Sequence, residues 1–411
     1  MTGQYTPDFS GRRELGTTEM KNNSQSLSLI LPRPDRSLER YKIIGVPVVA
    51  TPWQGQFSRT AFAACHIVVD PLADYDPWHS TQIDWDQTIA FREYIWGLNL
   101  GVAEAMDTAQ RGMGLPWFKA LELIRRTSSA AGSGSLIISG CGTDQLAPED
   151  ARTIDDVIRA YEEQMSAVEA AGSRIVLMAS RALARIAKSS DDYVRVYRRI
   201  LGQVRQPVVL HWLGTMFDPA LSGYWGHSNP HKAMDVVSEI INENQSKVDG
   251  IKISLLDVNY ELKLRKRLPE VVKMYTGDDF NYAELIAGDQ QWHSHALLGA
   301  FNCIAPSASA ALAKLSEGDL DGYHKILKPT EKVSRHIFVA PTQYYKAGVV
   351  FMAYLNGHQN HFIMAGGLES ARSTLHLAEL FRLADANGLL RDPELALRRM
   401  RLIMVSRGVE Q

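Results

Sequence analysis

Short runs of β-branched and apolar residues recur along the chain, and longer stretches of helical periodicity separate them. In residues 154–171 the apolar positions are spaced three and four apart, which places them on one face of an amphipathic helix. Residues 191–201 and 230–242 show the same spacing. The predicted strands are residues 43–50, 62–69, 102–106, 136–139, 175–178, 208–211, 250–253, 273–275 and 295–300.

Strands that alternate with helices predict parallel βαβ units, and eight such units can close a barrel. The fold class is therefore α/β, a (β/α)8 TIM barrel with a C-terminal helical extension, in which the first predicted strand is an extra element. An open doubly wound sheet is the alternative. Residues 1–36 are polar and predict an N-terminal arm without fixed structure, residues 37–307 the barrel, and residues 308–411 a helical region. Within that region we expect helices over 308–316, 320–336, 342–355 and 370–386.

Composition excludes several classes of protein. The net charge of −2 gives no basic surface for nucleic acid or for a membrane. The chain lacks a secretory leader and a long apolar segment, and its three cysteines predict no disulfide framework. These features predict a cytoplasmic protein that binds neither nucleic acid nor membrane.

The segment with the clearest chemical signal is residues 248–257, where Lys252 lies among apolar neighbours in a predicted strand. Burial of a lysine is costly, and it lowers the pKa of the amine because the charged form is disfavoured. A neutral amine is a nucleophile that attacks carbonyl carbons. At the C-terminal end of a barrel strand it would face the mouth where such enzymes work. Exposure of the amine at the strand end, or pairing with Asp249 or Asp257, is the structural alternative.

Around this strand, the order of segments resembles the dihydrodipicolinate synthase/N-acetylneuraminate lyase superfamily of class I aldolases. In that family a Gly-Ile-Lys strand contains the imine-forming lysine, and residues 250–252 match it. Residues 275–279 resemble the family's Thr-Gly-Asp-Asp strand end, and residues 302–306 resemble the segment that ends its eighth strand. The resemblance implies a TIM barrel and a Schiff-base lyase of aldolase or hydro-lyase type. It also implies no cofactor beyond the lysine imine and a homo-oligomer, either a dimer or a tetramer.

Two departures from the family pattern shape the expected site. The family's proton-relaying tyrosine on the fifth strand is replaced by His211, which becomes the predicted catalytic proton shuttle beside Lys252. In the loop that holds the substrate carboxylate, only Thr108 matches, while Glu104 and Asp107 are new. Because these acids would repel a carboxylate, a keto-sugar or a related polyhydroxylated carbonyl compound is favoured over pyruvate. The predicted substrate-binding residues are Thr108, Asp107, Glu104, His66, Asp278, His295 and Asn302.

Two rival functions remain open. Glu104, Asp107, His66, His211 and His295 could hold a divalent metal in a sugar isomerase, epimerase or lyase, although no local His-x-x-x-His spacing supports this. A barrel that binds a sugar without turning it over is the other rival. A second lysine, Lys346 in the predicted tail, is expected to be structural.

Overall fold

The computed structural model describes residues 27–50, 53 and 55–411. Eight parallel strands form a closed barrel in which each strand pairs with its neighbour in sequence and the last pairs with the first. The barrel strands are β3 (Ala61–Ala64), β4 (Gly101–Glu104), β5 (Ile137–Cys141), β6 (Arg174–Leu177), β7 (Val208–Leu213), β8 (Val248–Ser254), β9 (Lys273–Thr276) and β10 (His295–Leu298). The predicted (β/α)8 barrel is confirmed, and an open sheet is ruled out.

Helices surround the barrel and continue beyond it. They are α1 (Trp85–Gly97), α2 (Trp117–Ala130), α3 (Ile154–Ala170), α4 (Arg181–Ile186), α5 (Ser190–Leu201), α6 (Pro230–Glu243), α7 (Val258–Arg265), α8 (Tyr282–Ala287), α9 (Phe301–Ser316), α10 (Leu320–Leu327), α11 (Thr330–Ile337), α12 (Tyr345–Leu355), α13 (Thr374–Ala386) and α14 (Pro393–Ser406). In α3 the predicted apolar stripe is buried, and a reciprocal capping box between Thr153 and Asp156 fixes where the helix begins.

The first predicted strand, residues 43–50, is wrong. The last part of the predicted arm instead forms an antiparallel hairpin of β1 (Ser28–Pro32) and β2 (Leu38–Lys42). The segment that follows is extended but donates its backbone N–H groups to the end of α13. Ile44 and Gly45 bond to the Asp385 carboxylate at 2.9 and 3.0 Å, and Val48 bonds to the Gly388 carbonyl at 2.9 Å. Residues 1–26 of the predicted arm lie outside the described residues.

The helical tail is confirmed, with different boundaries. The predicted helix over 320–336 is two helices, α10 and α11, which meet around Pro329 because a proline lacks the N–H that a continuous helix needs. The tail also contains α14, which the sequence pattern did not predict. Every residue of α12 is buried, so this helix is a core element and not a surface cover. No helix in the described part of the chain has both the length and the apolar character needed to span a bilayer.

Alternate residues of each barrel strand point inward, and a band of apolar side chains fills the middle of the barrel. Tyr275 of β9 lies in this band, where Gly250 on β8 leaves space for its ring. A Cβ atom at position 250 would lie 2.7 Å from a carbon of that ring. The Tyr275 hydroxyl donates to the Asp249 carboxylate at 2.7 Å. The middle of the barrel is therefore filled, which separates the upper, C-terminal end from the lower end.

On the outer side of the barrel, Glu261 of α7 is buried against β9. Its carboxyl group accepts hydrogen bonds from the hydroxyls of Thr276 and Ser294 at 2.9 and 2.7 Å. Burial raises the pKa of Glu261 to about 8, and the nearby Asp278 adds to the increase. The folded protein therefore holds a proton that the unfolded chain releases near pH 4.5. Stability should fall as the pH rises from that value toward 8.

We expect Glu261→Gln to reduce this loss of stability, because glutamine is neutral at every pH in this range. Between pH 5 and 8 the unfolding free energy of the variant should fall by on the order of 3 kcal/mol less than that of the parent. Urea unfolding at several pH values measures the difference. Glu122→Gln, at a partly exposed glutamate on α2, is the control and should keep the parental pH dependence. If the unfolding free energies of Glu261→Gln and the parent changed equally with pH, the prediction would be contradicted.

Candidate active site

Lys252 lies on the inner face of β8 near its C-terminal end, and only 7 % of the residue is exposed. Its Nζ atom has no hydrogen-bond partner among the residues that the structure describes. Burial lowers the pKa of the Lys252 amine, while Asp107 and Asp279 act in the opposite direction. The sequence prediction of a buried lysine at the mouth of the barrel is thus matched by the geometry, and the exposed alternative is not.

A small cavity of about 10 Å³, room for about one water molecule, adjoins the Lys252 side chain. It contains two carboxylates, three hydroxyl groups and an apolar remainder. The lining residues are Ala64, Met106, Asp107, Thr108, Leu213, Phe217, Lys252, Ser254, Asp279, Gly299 and Tyr345. They come from both the barrel and the helical tail, so the folded tail is needed to close the cavity.

Gly277 creates the space that the lysine occupies. It follows β9 directly, in the Thr-Gly-Asp-Asp segment, and a Cβ atom there would lie 2.8 Å from Cε of Lys252. Contacts under 3.0 Å force a neighbour to move, so a larger residue would displace the lysine chain. The glycine of this segment therefore has a packing role at the reactive amine.

His211 of β7 pairs in register with Lys252, and its ring is fully buried. Nε2 lies 3.2 Å from the Ser254 hydroxyl, while Nδ1 has no hydrogen-bond partner in the described structure. Burial lowers the pKa of His211 well below its usual value, and the adjacent Lys252 lowers it further. The imidazole is therefore neutral near pH 7, and a neutral ring has one N–H donor and one acceptor nitrogen.

A second, larger cavity of about 270 Å³ adjoins the first and shares Asp107 and Leu213 with it. His211 lines this larger cavity. Both arginines that line the larger cavity form ion pairs with aspartates. Arg111 bonds to both carboxylate oxygens of Asp144, at 2.9 and 2.6 Å, and Arg181 bonds to Asp218 at 2.6 Å. Asp107 has no such arginine partner in the described structure, so its carboxylate is available to accept hydrogen bonds from a ligand.

Thr108 and Tyr345 join the barrel to the tail at the cavity wall. The Thr108 hydroxyl and the Tyr345 phenol are 2.8 Å apart, and the Tyr345 ring stacks on Phe338 with ring centroids at 4.3 Å. Burial raises the pKa of Tyr345 well above its usual value, so the phenol keeps its proton. The sequence reasoning named Thr108 but missed Tyr345, because nothing in the sequence near α12 links it to β4.

Of the two adjacent acids after β9, the structure places Asp279 and not the predicted Asp278 at the lysine cavity. Asp278 instead caps the following turn: it accepts hydrogen bonds from the backbone N–H groups of Phe280 and Asn281 at 2.8 and 3.1 Å. It also accepts one from the Asn281 side chain at 2.8 Å. This correction follows from local geometry, since successive side chains at a strand end point in opposite directions.

Glu104, predicted to contact substrate, lies on the helix-facing side of β4. Both of its oxygens bond to Arg92 of α1, at 2.8 and 2.9 Å, and it also accepts from the Thr127 hydroxyl at 2.6 Å and the Ala105 N–H at 2.7 Å. Arg92 and Glu104 are both fully buried. The expectation is corrected, because this carboxylate is fully used in holding α1 and α2 against the barrel.

His66 and Asn302 lie together, but they do not line the lysine cavity. His66 is fully buried between the Asn302 amide at 3.0 Å and the Gln359 side chain at 3.1 Å, with its ring against Phe91. Burial lowers the pKa of His66 to about 3, and the nearby Arg92 and His358 lower it further. Both residues therefore join the end of β3 to the tail helices, which corrects the expectation that they bind substrate.

His295 is at the opposite end of the barrel from the cavity. It is the first residue of β10, and its Nδ1 accepts a hydrogen bond from the Thr60 N–H at 2.8 Å. The N-terminal ends of parallel strands all face the bottom of the barrel, so the prediction that His295 lines the mouth is wrong.

The residues proposed for a metal site do not assemble. Glu104 is paired with Arg92, His66 faces the tail, and His295 lies at the bottom of the barrel. Within residues 27–50, 53 and 55–411, no group of three or more histidine, cysteine or acidic residues is arranged to hold a metal ion. The residue set that the metal hypothesis names therefore does not fit a divalent ion.

Lys346 is closer to the site than expected. It is buried on α12, where Nζ donates to the Gln343 carbonyl at 3.1 Å and lies 4.7 Å from the centre of the Tyr345 ring. Burial lowers the pKa of Lys346 to about 8, with Asp107 opposing the shift. Its hydrogen bond to the Gln343 carbonyl, in the turn just before α12, is compatible with the expected structural role.

We expect Glu104→Gln to destabilise the fold without removing a group that contacts substrate. The change leaves the buried Arg92 guanidinium without its charged partner, which should cost about 3–5 kcal/mol of unfolding free energy. Urea unfolding measures the loss. In protein that remains folded, the reactivity of Lys252 toward carbonyl compounds should be within about twofold of the parent. A stable variant with a defect in binding would contradict this placement of Glu104.

Comparisons with known proteins agree with this architecture. Dihydrodipicolinate synthase from Aquifex aeolicus has 12 % identity and a TM-score of 0.60, over 81 % of this chain and 99 % of that one. The enzyme from Oceanobacillus iheyensis has 13 % identity and a TM-score of 0.57, over 80 % and 96 %. A prophage protein of the dihydrodipicolinic acid synthase family from E. coli K12, in complex with pyruvate, has 15 % identity and a TM-score of 0.61, over 80 % and 97 %.

These similarities confirm the predicted resemblance at the level of the fold. No curated protein matches the chain by sequence. The profile of one sequence family, described as "Protein of unknown function (DUF993)", matches residues 29–409. With a barrel and tail shared with dihydrodipicolinate synthases and a sequence that matches this profile over nearly its full length, the chain belongs to the DUF993 family.

Proposed function

We propose that the protein is a class I aldolase-like lyase that forms an imine between Lys252 and a carbonyl substrate. The observation that supports this most directly is a lysine amine with no hydrogen-bond partner in the described structure, buried at the C-terminal end of a barrel strand. Such an amine is neutral in a larger fraction of molecules than an exposed one, because burial lowers its pKa. Imine chemistry needs that neutral form.

The chemistry proceeds in balanced steps. The neutral amine adds to the carbonyl carbon to give a carbinolamine, which loses water to give an iminium ion. When a carbon–carbon bond next to the iminium carbon breaks, its electron pair passes to the cationic nitrogen and gives an enamine. In the hydro-lyase case loss of a proton from that position gives the enamine, which then expels the neighbouring oxygen together with the carbon–oxygen bonding pair. Protonation of the enamine carbon regenerates an iminium ion, and its hydrolysis restores the amine. The lysine amine is the covalent group in every step, so the proposed reaction uses no metal or organic cofactor.

The charges around the amine favour a polyhydroxylated carbonyl substrate. Asp107 and Asp279 line the lysine cavity, and the two arginines of the adjoining cavity are already bonded to Asp144 and Asp218. The carboxylate of a 2-oxo acid would therefore lie close to acidic side chains, and neither of the two arginines would be free to bind it. Hydroxyl groups of a keto-sugar or its derivative can donate to the Asp107 carboxylate and exchange hydrogen bonds with Thr108.

We assign His211 to proton transfer at the larger cavity, as the sequence predicted. The residue lines the larger cavity, its buried Nδ1 has no hydrogen-bond partner in the described structure, and its Nε2 lies 3.2 Å from the Ser254 hydroxyl. As a neutral ring it can accept a proton at one nitrogen while the other donates. Assembly into a homodimer or homotetramer and a cytoplasmic location both stay predictions.

Trapping with borohydride tests the lysine assignment. Incubation with dihydroxyacetone and sodium borohydride should give a reduced adduct on Lys252, detected by peptide mass spectrometry. Lys252→Met should abolish this adduct, since it removes the amine but keeps a side chain of similar length. Dihydroxyacetone should also be trapped at least about tenfold faster than pyruvate, because Asp107 lines the cavity and the nearby arginines are already bonded to other acids.

Lys314→Arg is the matched control, because Lys314 is a partly exposed lysine of α9 far from the cavity, and it should label like the parent. Labelling spread evenly over surface lysines would rule out the imine function. Pyruvate trapped as fast as dihydroxyacetone would retain the imine but overturn the substrate class.

The pH dependence of amine reactivity gives an independent measurement. Competitive labelling with acetic anhydride should give Lys252 a midpoint below the ordinary lysine value of 10.5, because burial disfavours its charged form. Asp107→Asn should move the midpoint lower still, since it removes a negative charge that favours the ammonium. A midpoint that stays fixed or rises in this variant would show that Asp107 does not act on the amine.

A further inference from the structure

Asp279 is a buried acid that lines the same small cavity as the reactive lysine. One of its oxygens accepts a hydrogen bond from the Ala300 N–H at 2.9 Å. No other side chain that the structure describes bonds to this carboxyl group. The acid is therefore held in a fixed orientation by the backbone and still has an oxygen available to the cavity.

The surroundings of Asp279 leave Lys252 as its single opposite charge. The ionisable groups around it are Lys252 on β8, Asp107 on the wall of the same cavity, the adjacent Asp278, Tyr282 of α8, Cys303 of α9 and Tyr345 of α12. Burial raises the pKa of each of these phenols and of the thiol, so they stay neutral near pH 7. The protonation of Asp279 is thus coupled mainly to the charge on the lysine nitrogen.

We propose that Asp279 is the proton donor and acceptor for the imine chemistry of Lys252, an assignment that rests on the proposed function. In the step that forms the imine, the Asp279 carboxylic acid gives its proton to the hydroxyl of the carbinolamine. The carbon–oxygen bond breaks, water leaves, and the nitrogen lone pair forms the second bond to carbon. The products are an iminium ion and the Asp279 carboxylate, so charge and atoms balance.

The geometry explains why the proton moves at this step and not earlier. Burial raises the pKa of Asp279 to about 7 even though the Lys252 cation lowers it, so the acid holds its proton more firmly while the lysine is neutral. When the nitrogen becomes an iminium cation, the carboxylate gains an opposite charge in a closed, low-dielectric cavity. The same carboxylate can take the proton back when the iminium is hydrolysed, by microscopic reversal of the step.

The adjacent acid offers a matched control. Asp278 is equally buried but bonds to the turn at residues 280 and 281, away from the lysine cavity. An Asp278→Asn change keeps an acceptor oxygen for that turn and leaves the cavity unchanged. Asp279→Asn likewise keeps an acceptor for the Ala300 N–H but has no acidic proton to give.

The experiment measures the rate of adduct formation on Lys252 with dihydroxyacetone. Rates are measured from pH 5.5 to 9. Sodium cyanoborohydride is present at a concentration high enough that adding more does not change the rate, so imine formation and not reduction is measured. We expect Asp279→Asn to slow adduct formation by about 100-fold near pH 7, while Asp278→Asn stays within about threefold of the parent. In the parent the rate constant, divided by the neutral fraction of Lys252 found by competitive labelling, should fall above a pH of about 7, where the acid loses its proton, and this fall should be missing in Asp279→Asn.

Asp279→Glu should recover part of the rate and restore a fall at high pH, which a purely structural role would not produce. Thermal unfolding checks that each variant is folded. If the parent forms no adduct on Lys252, the proposed function fails. If the parent forms the adduct and Asp279→Asn matches it in rate and pH profile, the function stands and the role of Asp279 is overturned.

Discussion

The removal of a primary amine from water determines how the upper end of this barrel is built. An ammonium ion in an apolar cavity loses its hydration, and no hydrogen bond within the described residues replaces it at Lys252. The Tyr275 ring fills the barrel below, and Gly277 leaves the volume that the lysine chain occupies. Because burial disfavours the ammonium ion, a larger fraction of the amine is neutral and therefore nucleophilic.

The inner and outer faces of the barrel strands separate chemistry from scaffolding. Polar residues that face inward at the upper end, such as His211 and Lys252, keep atoms without protein partners. Buried acids between the strands and the helices are hydrogen-bonded: Glu104 of β4 to Arg92, and Glu261 of α7 to two hydroxyls. These hydrogen-bonded groups fix the strands in place, which is the rigidity that a preorganised site needs.

The tail completes the cavity that the barrel begins. Tyr345 lies at the start of the buried helix α12, stacks on Phe338 and bonds to Thr108 beyond β4. The hairpin and the extended segment after it add contacts to the end of α13 through Asp385. Loss of packing in the tail would therefore open the lysine cavity to water and raise the pKa of the amine toward its ordinary value.

The sequence alone indicated the alternation of the eight barrel strands with helices, the helical tail and the buried position of Lys252, and its resemblance to a known family favoured a closed barrel over an open sheet. Periodicity and burial cost are local properties of the chain, so these features could be predicted from it. It could not determine which acids face the lysine. Asp278 and Asp279 are adjacent residues of the same type, and Glu104 and Asp107 are only three positions apart. The direction of each side chain depends on where its strand ends and on helices far along the chain. Tyr345 reaches Thr108 across 237 residues, and only the packing of the tail on the barrel brings the two together.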